Sequence, residues 1–529
     1  MTIAIDFGTS NTVIARWNAA TEQPEIVNLG EITQQLENNP PLIPSLLYVE
    51  DAANDKVILG QTVRDRGLDL TSDSRFFRGF KRGIGADIQG FLPELDGKAV
   101  TFEEVGKWFL TEIIENLKTN IDTPDSIVLT VPVDSFENYR LWLSEVCQSW
   151  STPQIRMLDE PTAAALGYEI TTEKLVLVLD FGGGTVDLSL VQLDLDNQKP
   201  QGLILKWGEK LLGKNSAQKT KIAKVLAKAG QNLGGSDLDN WLVDYFATHQ
   251  GLPKLPIISK LAERLKIKLS SEKEASEVYF NDETFETYEL KLDRQGFEKI
   301  LADNQFFAQL DELLTQVLQQ ARRNGVEKEE IDAVLLVGGT VQIPAVKKWV
   351  GEYFEEGKIK SDRPFSAIAI GALQLAQGFE VKDFLYHSYG IRYWNKRKNA
   401  HSWHKIINSG QPYPMTNPVE LLLGASVENQ PSIELIIGEL GAENSQTEVY
   451  FDGDRLITRS LGKGATAVQP LNDKEGARTI ANLNPLGNPG SDRIKLQFRV
   501  DEQRNLRITV EDILTEEILL NNQIVAQLS

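Results

Sequence analysis

One stretch constrains this chain more than any other: Asp180-Phe181-Gly182-Gly183-Gly184-Thr185-Val186-Asp187. The apolar run Leu175-Val176-Leu177-Val178-Leu179 before it predicts a buried strand, and Leu188-Ser189-Leu190-Val191 after it predicts the next, so the stretch is a glycine-rich hairpin. Three consecutive glycines remove every Cβ from the turn, which lets backbone N–H groups approach an anion closely with their dipoles aligned on it. The flanking carboxylates would repel a bare phosphate. Their expected task is to hold a hydrated Mg2+ that in turn holds the phosphate. Glycines at a hairpin also serve as plain turn residues, and this turn alone does not separate the two readings.

The pattern repeats, and that decides between them. Thr2-Ile3-Ala4-Ile5-Asp6-Phe7-Gly8-Thr9-Ser10-Asn11-Thr12-Val13-Ile14 has the same order of parts: strand, Asp-Phe-Gly, small hydroxyl residues, strand. A repeated phosphate-binding hairpin implies two related lobes facing one ligand from opposite sides. A third turn, Gly338-Gly339-Thr340, follows the buried strand Ala333 to Val337, and a helix is predicted from Ile343-Pro344 through Trp349. The three turns are expected to converge in one cleft.

With 529 residues the chain requires two or more domains. Lys plus Arg total 55 against 75 for Asp plus Glu, a net charge of −20, which argues against a partner that is nucleic acid or a membrane surface. No apolar run reaches membrane-spanning length. The single cysteine, Cys147, excludes an internal disulfide and fits a reducing compartment, and the N-terminus lacks a basic leader, so a cytoplasmic location is expected.

Together these motifs resemble the heat-shock protein 70 family of DnaK-like chaperones, within the actin and sugar-kinase superfamily of ATPases. The likeness is strong over roughly residues 1 to 380 and weaker beyond. It implies an α/β fold: a two-lobed actin-like ATPase domain over residues 1–379, a linker over 380–387, and an antiparallel β-sandwich over 388–529. The cofactors it implies are ATP or ADP and Mg2+, the metal held through water by Asp6 and Asp180. Lys81, in Arg75 to Gly85, matches the lysine that reaches the terminal phosphate and the attacking water, although its residues alone read as a solvated basic loop. Glu160, ahead of Pro161 and a helix rich in alanine, matches the residue that orients the metal's water; Thr185 and Asp187 complete the catalytic set.

By the same resemblance, Gly8, Thr9, Ser10, Asn11, Gly182, Gly183, Gly184, Thr185, Gly338, Gly339 and Thr340 cradle phosphates. Glu263, Lys266 and Ser270, at i, i+3 and i+7 of a predicted helix, match the adenosine contacts. Ile267 and Gln342 stand where the family usually has arginines sandwiching adenine, and Phe365 replaces a usual Asp. Pro132 and Arg140 match a proline switch and its arginine relay, and Arg156 occupies the place of an arginine that docks J-domain cochaperones; whether such partners act stays open. Within Lys206 to Lys228, seven lysines accompany one acid, Glu209. This segment departs from the family and predicts an exposed helix from Ala217 to Ala229. Gly208 to Asn215 nearly completes a Walker A pattern, but Asn215 replaces the Mg2+-binding Ser or Thr, so it reads as a decoy.

After a helix predicted over Ser366 to Gly378 and the linker Glu380 to Leu385, the period changes to two. Ile494 to Val500 and Leu506 to Val510 form a hairpin with one buried face, and Ile433 to Ile437, Val449 to Phe451 and Ile518 to Leu520 add strands. This region resembles the family's peptide-binding β-domain, and no amphipathic helix follows the last strand to serve as its lid. His401 and His404 lack further ligands and read as decoration of an exposed loop. The leading expectation is an ATP-hydrolysing chaperone for unfolded or extended polypeptide. A small-molecule kinase of the same superfamily and a nucleotide-switched scaffold are the alternatives.

Overall fold

The structure, a computed structural model, describes the chain except residues 19, 36–38, 71, 87, 90–91, 133–136, 151, 153, 170–172, 195–221, 282–283, 377–383, 386–387, 396–399, 409–410, 416, 441–444, 453–454, 464–467, 474–478, 502 and 529. It falls into two units, Met1–Val381 with Thr447–Arg459, and Lys382–Gln446 with Ser460–Ser529. Among the described residues no helix is long and apolar enough to cross a membrane.

The first unit carries one motif twice. Thr2–Phe7 pairs antiparallel with Asn11–Asn18 on one side and parallel with Ser126–Val131 on the other, with Gln23–Ile26 and Gln154–Asp159 outermost. Leu175–Phe181 likewise pairs antiparallel with Val186–Asp194 and parallel with Ala333–Val337, with Ile222–Gln231 and Ile359–Lys360 outermost. The parallel strands read as unbroken apolar runs because both faces of each sheet are covered.

This duplication corrects the helix expected over Ala217 to Ala229. The part before Ile222, with the Walker A decoy, lies outside the described residues; from Ile222 to Gln231 the chain is a strand. Alanine and lysine favour helix locally, but pairing with Val186–Asp194 overrides that preference. Ala227 and Ala229 turn inward on a period of two while Lys228 and Gly230, which alternate with them, do not. The strand is the counterpart of Gln23–Ile26 in the first lobe.

The two sheets meet through the helices Glu160–Gly167 and Ala367–Ala376. Ala163, Ala164, Ala165, Ala367, Ala369 and Ala372 are fully buried there. A Cβ on Gly167 would strike the Ala367 carbonyl, and one on Gly371 would strike the Ala163 carbonyl, so only glycine permits this approach.

In the second unit, one four-stranded sheet runs Ala400–Ile407, Ser388–Asn395, Ile437–Leu440, Val468–Pro470. Another runs Val419–Gly424, Asp492–Val500, Asn505–Asp512, Glu517–Gln527. Their inward residues, Tyr389, Ile391, Ile437, Ile494, Leu496, Phe498, Leu506, Ile508 and Val510 among them, share one core, as in an antiparallel sandwich. His401 and His404 sit exposed on the strand Ala400–Ile407, where a loop was expected; Trp394 opposes His401 in register. Val449 to Phe451 is in the strand Ser445–Asp452, whose residues from Thr447 belong to the first unit. Most of the linker lies outside the described residues; Phe384–Leu385 pairs with Gln411–Pro412.

Candidate functional site

The three glycine turns come together. A Cβ on Gly183 would collide with Ser10 Oγ, and one on Gly184 would lie 2.7 Å from Thr9 Oγ1, so the first lobe's hairpin turn abuts the second lobe's. Gly338, at φ 86°, lies against Phe181 and Gly182, and Thr340 Oγ1 donates to the Gly182 carbonyl at 2.8 Å. Gly8 holds its own turn closed against Asn11 O, and Ser45 ties that turn from outside, Oγ to Gly8 O at 2.8 Å and N to Ser10 O at 2.8 Å. The Gly182, Gly183 and Gly184 carbonyls all have donors: Gly235 N, Ser236 N and Arg82 Nη2.

Carboxylates gather beneath the turns. Asp180 and Asp187 face each other in register across the second hairpin, where like charges repel. Asp180, Asp187, Glu160 and Pro161 line one recess with Val178, Ser189 and Ala229. Asp6, next to last in the strand Thr2–Phe7, accepts from Thr130 Oγ1 at 2.8 Å. Burial, then the Glu160 carboxylate, pushes Asp6 up to about 7, against the Lys81 ammonium and the Thr130 bond. Asp180 is raised well above the usual carboxylate range by burial and by Glu160, Asp187 and Asp6.

Among the described residues one cation faces this group. Lys81 lies in a 3-10 turn, Phe80–Gly83, anchored by Phe80, whose ring packs on Phe7 and Phe109. Its Nζ is 3.1 Å from Glu160 Oε1 and lies over the Phe7 and Tyr139 rings, at 5.5 and 5.9 Å from their centroids. Burial draws the ammonium's pKa down, but Glu160, Tyr139 and Asp6 outweigh it and leave the net shift upward. Glu160 opens the helix Glu160–Gly167, which Asp159 caps by accepting from Thr162 N at 2.8 Å. Four carboxylates against one ammonium suit a divalent cation. Among the described residues no three His, Cys, Asp or Glu side chains are grouped to ligate an ion directly.

The helix Pro256–Ser271 supplies the remaining candidates. Lys266 Nζ bonds Gly235 O at 2.8 Å and Asp239 at 2.8 Å, and a Cβ on Gly235 would lie 3.0 Å from Thr340 Oγ1 and 3.1 Å from Lys266 Nζ. That places Lys266 beside the third turn. Glu263 instead pairs with Arg64 of the first lobe at 3.2 Å; burial raises its pKa, but Arg64 and Lys266 bring it below the usual value. Ser270 donates to Lys266 O at 3.1 Å. Ile267 is 54% exposed, Gln342 is half-buried, and the Phe365 ring packs on Gly339.

Sequence reasoning passed over Arg82, Asp237, Thr130 and Tyr139. The Arg82 side chain, 3% exposed, reaches the Gly184 carbonyl and Asp237 at 2.5 Å, joining the lobes. Its place next to Lys81 was the available signal. Thr130 was legible as a polar residue in the apolar strand Ser126–Val131.

The model of the family described as Hsp70 protein matches residues 79–198 and 219–393, more than half of the chain. The chain belongs to the Hsp70 family. It is similar to the chaperone protein HscA homolog of Pseudoalteromonas atlantica, 26% identical over 400 residues, 70% of this chain and 57% of that protein. It is also similar to chaperone protein DnaK of Thermosipho africanus, 27% identical over 390 residues, 70% of this chain and 58% of that one. With chaperone protein dnaK1 of Synechocystis sp. it is 25% identical over 550 residues, 96% of this chain and 70% of that protein. The chain thus spans under three fifths of the first two relatives. The matched residues take in much of both duplicated lobes, and the sandwich beyond residue 393 lies outside them.

Proposed function

We propose that the protein is an ATP-dependent chaperone in which residues 1–379 hydrolyse ATP and, through the linker 380–387, control binding of extended polypeptide by residues 388–529. The observation that carries this reading is the facing pair of hairpin turns above a buried carboxylate cluster with one lysine. Thr9, Ser10, Asn11, Thr185 and the N–H groups of Gly8, Gly183 and Gly184 would cradle the phosphates, while the Gly182 N–H closes the turn on the Thr185 carbonyl at 3.0 Å. Gly338, Gly339 and Thr340 buttress them, and Glu263, Lys266, Ser270 and Gln342 border the adenosine. Asp6 and Asp180 would hold Mg2+ through water, with Asp187 assisting, and the ion would supply charge neutralisation at the phosphates. Lys81, fixed by Glu160, is poised to orient a water, so positioning and charge supply the catalysis.

Polypeptide would add along the second unit by backbone pairing with side chains in pockets. Arg156, exposed on the outermost strand Gln154–Asp159, is the candidate contact for a J-domain cochaperone. The lone thiol Cys147, buried and pushed up to about 12 by burial, fits work in the reducing cytoplasm.

Turnover of Mg2+–ATP, measured with and without a permanently unfolded polypeptide, tests the reading. The expected result is slow turnover that the polypeptide accelerates. Absence of turnover would sink it, and phosphate transfer to a sugar would make the protein a kinase.

The adenine pocket gives a separate expectation. An arginine plane on a base contributes about 0.5 to 2 kcal/mol, and the exposed Ile267 offers packing alone. The double variant Ile267→Arg, Gln342→Arg is expected to bind ATP about tenfold more tightly, equivalent to about 1.4 kcal/mol, and to reject GTP more strongly. Titration calorimetry reads both; wild-type affinity already equal to the variant's would show that other residues clamp the base.

A further inference from the structure

The helix Glu137–Gln148 places Tyr139 against the carboxylate and lysine cluster. The residue is 4% exposed, its ring packs at 5.4 Å on Trp142, and its face lies 5.9 Å from Lys81 Nζ. Phe7 covers the same ammonium from 5.5 Å, so Lys81 sits between two rings and is bonded to Glu160 at 3.1 Å. Among the described residues the Tyr139 hydroxyl has no hydrogen-bond partner. A buried hydroxyl without a partner is costly, and a ring needed only to pack on Lys81 and Trp142 would serve as well without it.

We propose that the Tyr139 hydroxyl is a further donor of this site, giving its hydrogen bond to an oxygen of the phosphoryl group transferred next to Lys81. The inference rests on the ATPase reading above. It follows from where the phenol lies: its ring stands 5.9 Å from Lys81 Nζ, which is itself 3.1 Å from Glu160 Oε1. The proton stays in place to be donated. Burial, reinforced by Glu160 and Asp6 against Lys81, pushes the phenol up to about 12. An uncharged donor suits a spot already holding one ammonium, because it meets developing negative charge without a second cation to desolvate. Lys81 and Tyr139 then approach the phosphoryl group from neighbouring elements, the turn Phe80–Gly83 and the helix Glu137–Gln148.

The test is Tyr139→Phe in the full chain, which keeps the ring and removes only the hydroxyl. Single-turnover hydrolysis of Mg2+–ATP, the affinities for ATP and ADP, and the nucleotide-free melting temperature are compared with wild type. A hydrogen bond to a charged oxygen predicts hydrolysis slower by about ten- to a hundredfold. ADP affinity is unchanged, the preference for ATP over ADP falls, and the melting temperature is equal or higher. An unchanged rate and unchanged ATP-to-ADP preference, with a raised melting temperature, would overturn the inference: the hydroxyl would be an unsatisfied core group, and the ATPase reading would stand. Should wild type bind ATP without hydrolysing it, that reading fails, and the ATP-to-ADP preference of the two proteins decides Tyr139 by itself. Should wild type bind neither nucleotide, both are overturned.

Discussion

On the proposed ATPase reading, replacing Lys81 by methionine is expected to lower single-turnover hydrolysis of Mg2+–ATP by about 100- to 1000-fold, the usual cost of removing one preorganised charge-stabilising group. Nucleotide affinity changes far less, because the glycine turns do not depend on Lys81. Methionine is the better first choice than alanine. The Lys81 ammonium lies over the Phe7 and Tyr139 rings, and an apolar replacement of similar length fills the same space beside them while deleting the charge. Loss of the ammonium also leaves Glu160, Asp6 and Asp180 without their cation, so the metal-free variant should melt lower than wild type, and Mg2+ with nucleotide should close much of the gap. Quench-flow hydrolysis beside equilibrium binding separates the outcomes. A variant that hydrolyses at the wild-type rate would remove Lys81 from the mechanism, while a variant that neither binds nor folds would make it a structural residue.

The second large effect lies in the sandwich. Asp512, fully buried, accepts from Arg493 Nε at 2.8 Å and Nη2 at 2.7 Å, and its Oδ1 also takes the Leu514 and Thr515 amides at 2.9 and 3.3 Å. Arg493 is itself only 6% exposed. Asp512→Ala therefore strands a buried guanidinium and should cost about 3 to 5 kcal/mol, whereas Arg493→Met with Asp512→Leu should recover most of the loss. Hydrogen exchange at Ile494 to Val500 and Leu506 to Val510 reports the second unit directly. Burial raises the Asp512 pKa, but the Arg493 bonds and the two amides bring it below the ordinary value. A depressed folded value means that the stabilisation is complete above the unfolded value of about 3.9 and is lost as pH falls through the folded one. The gap between wild type and Asp512→Ala should accordingly be constant near neutrality and shrink in acid. A gap independent of pH down to about 3 would show that the carboxylate charge is not what Arg493 requires.

The paired hairpins were legible because their signal is local: alternating strands, an Asp-Phe-Gly step and glycines where no Cβ fits. The central parallel strands were legible from unbroken apolar runs. Ile222–Gln231 was hidden because alanine and lysine are helix formers, and only the partner strand makes them extended. Its place was nonetheless implied by the repeat, since Gln23–Ile26 occupies the equivalent position in the first lobe. Arg82 with Asp237, and Arg64 with Glu263, join residues 155 and 199 positions apart, and no spacing rule reaches that far. Thr340 shows a subtler limit. The sequence gathers it with the phosphate turns, but its hydroxyl is committed to the Gly182 carbonyl, so it braces the second turn from the third. Tyr139 reads in sequence as one more aromatic on an amphipathic helix, and its orphan hydroxyl exists only in three dimensions.

The contact between Glu160–Gly167 and Ala367–Ala376 has a mechanical consequence. Alanine and glycine have no χ rotamers, so these two helices can slip past one another without any side chain leaving its torsional well. Interlocked leucines would resist such a slip and snap between registers. A smooth surface turns with little resistance, and the strength of the closed form is left to the bonds at the rim, Arg82 to Asp237, Arg64 to Glu263 and Lys260 to Asp69 at 2.9 Å. Within the first unit the two lobes work like a pair of tongs, with a low-friction pivot and the grip set at the tips.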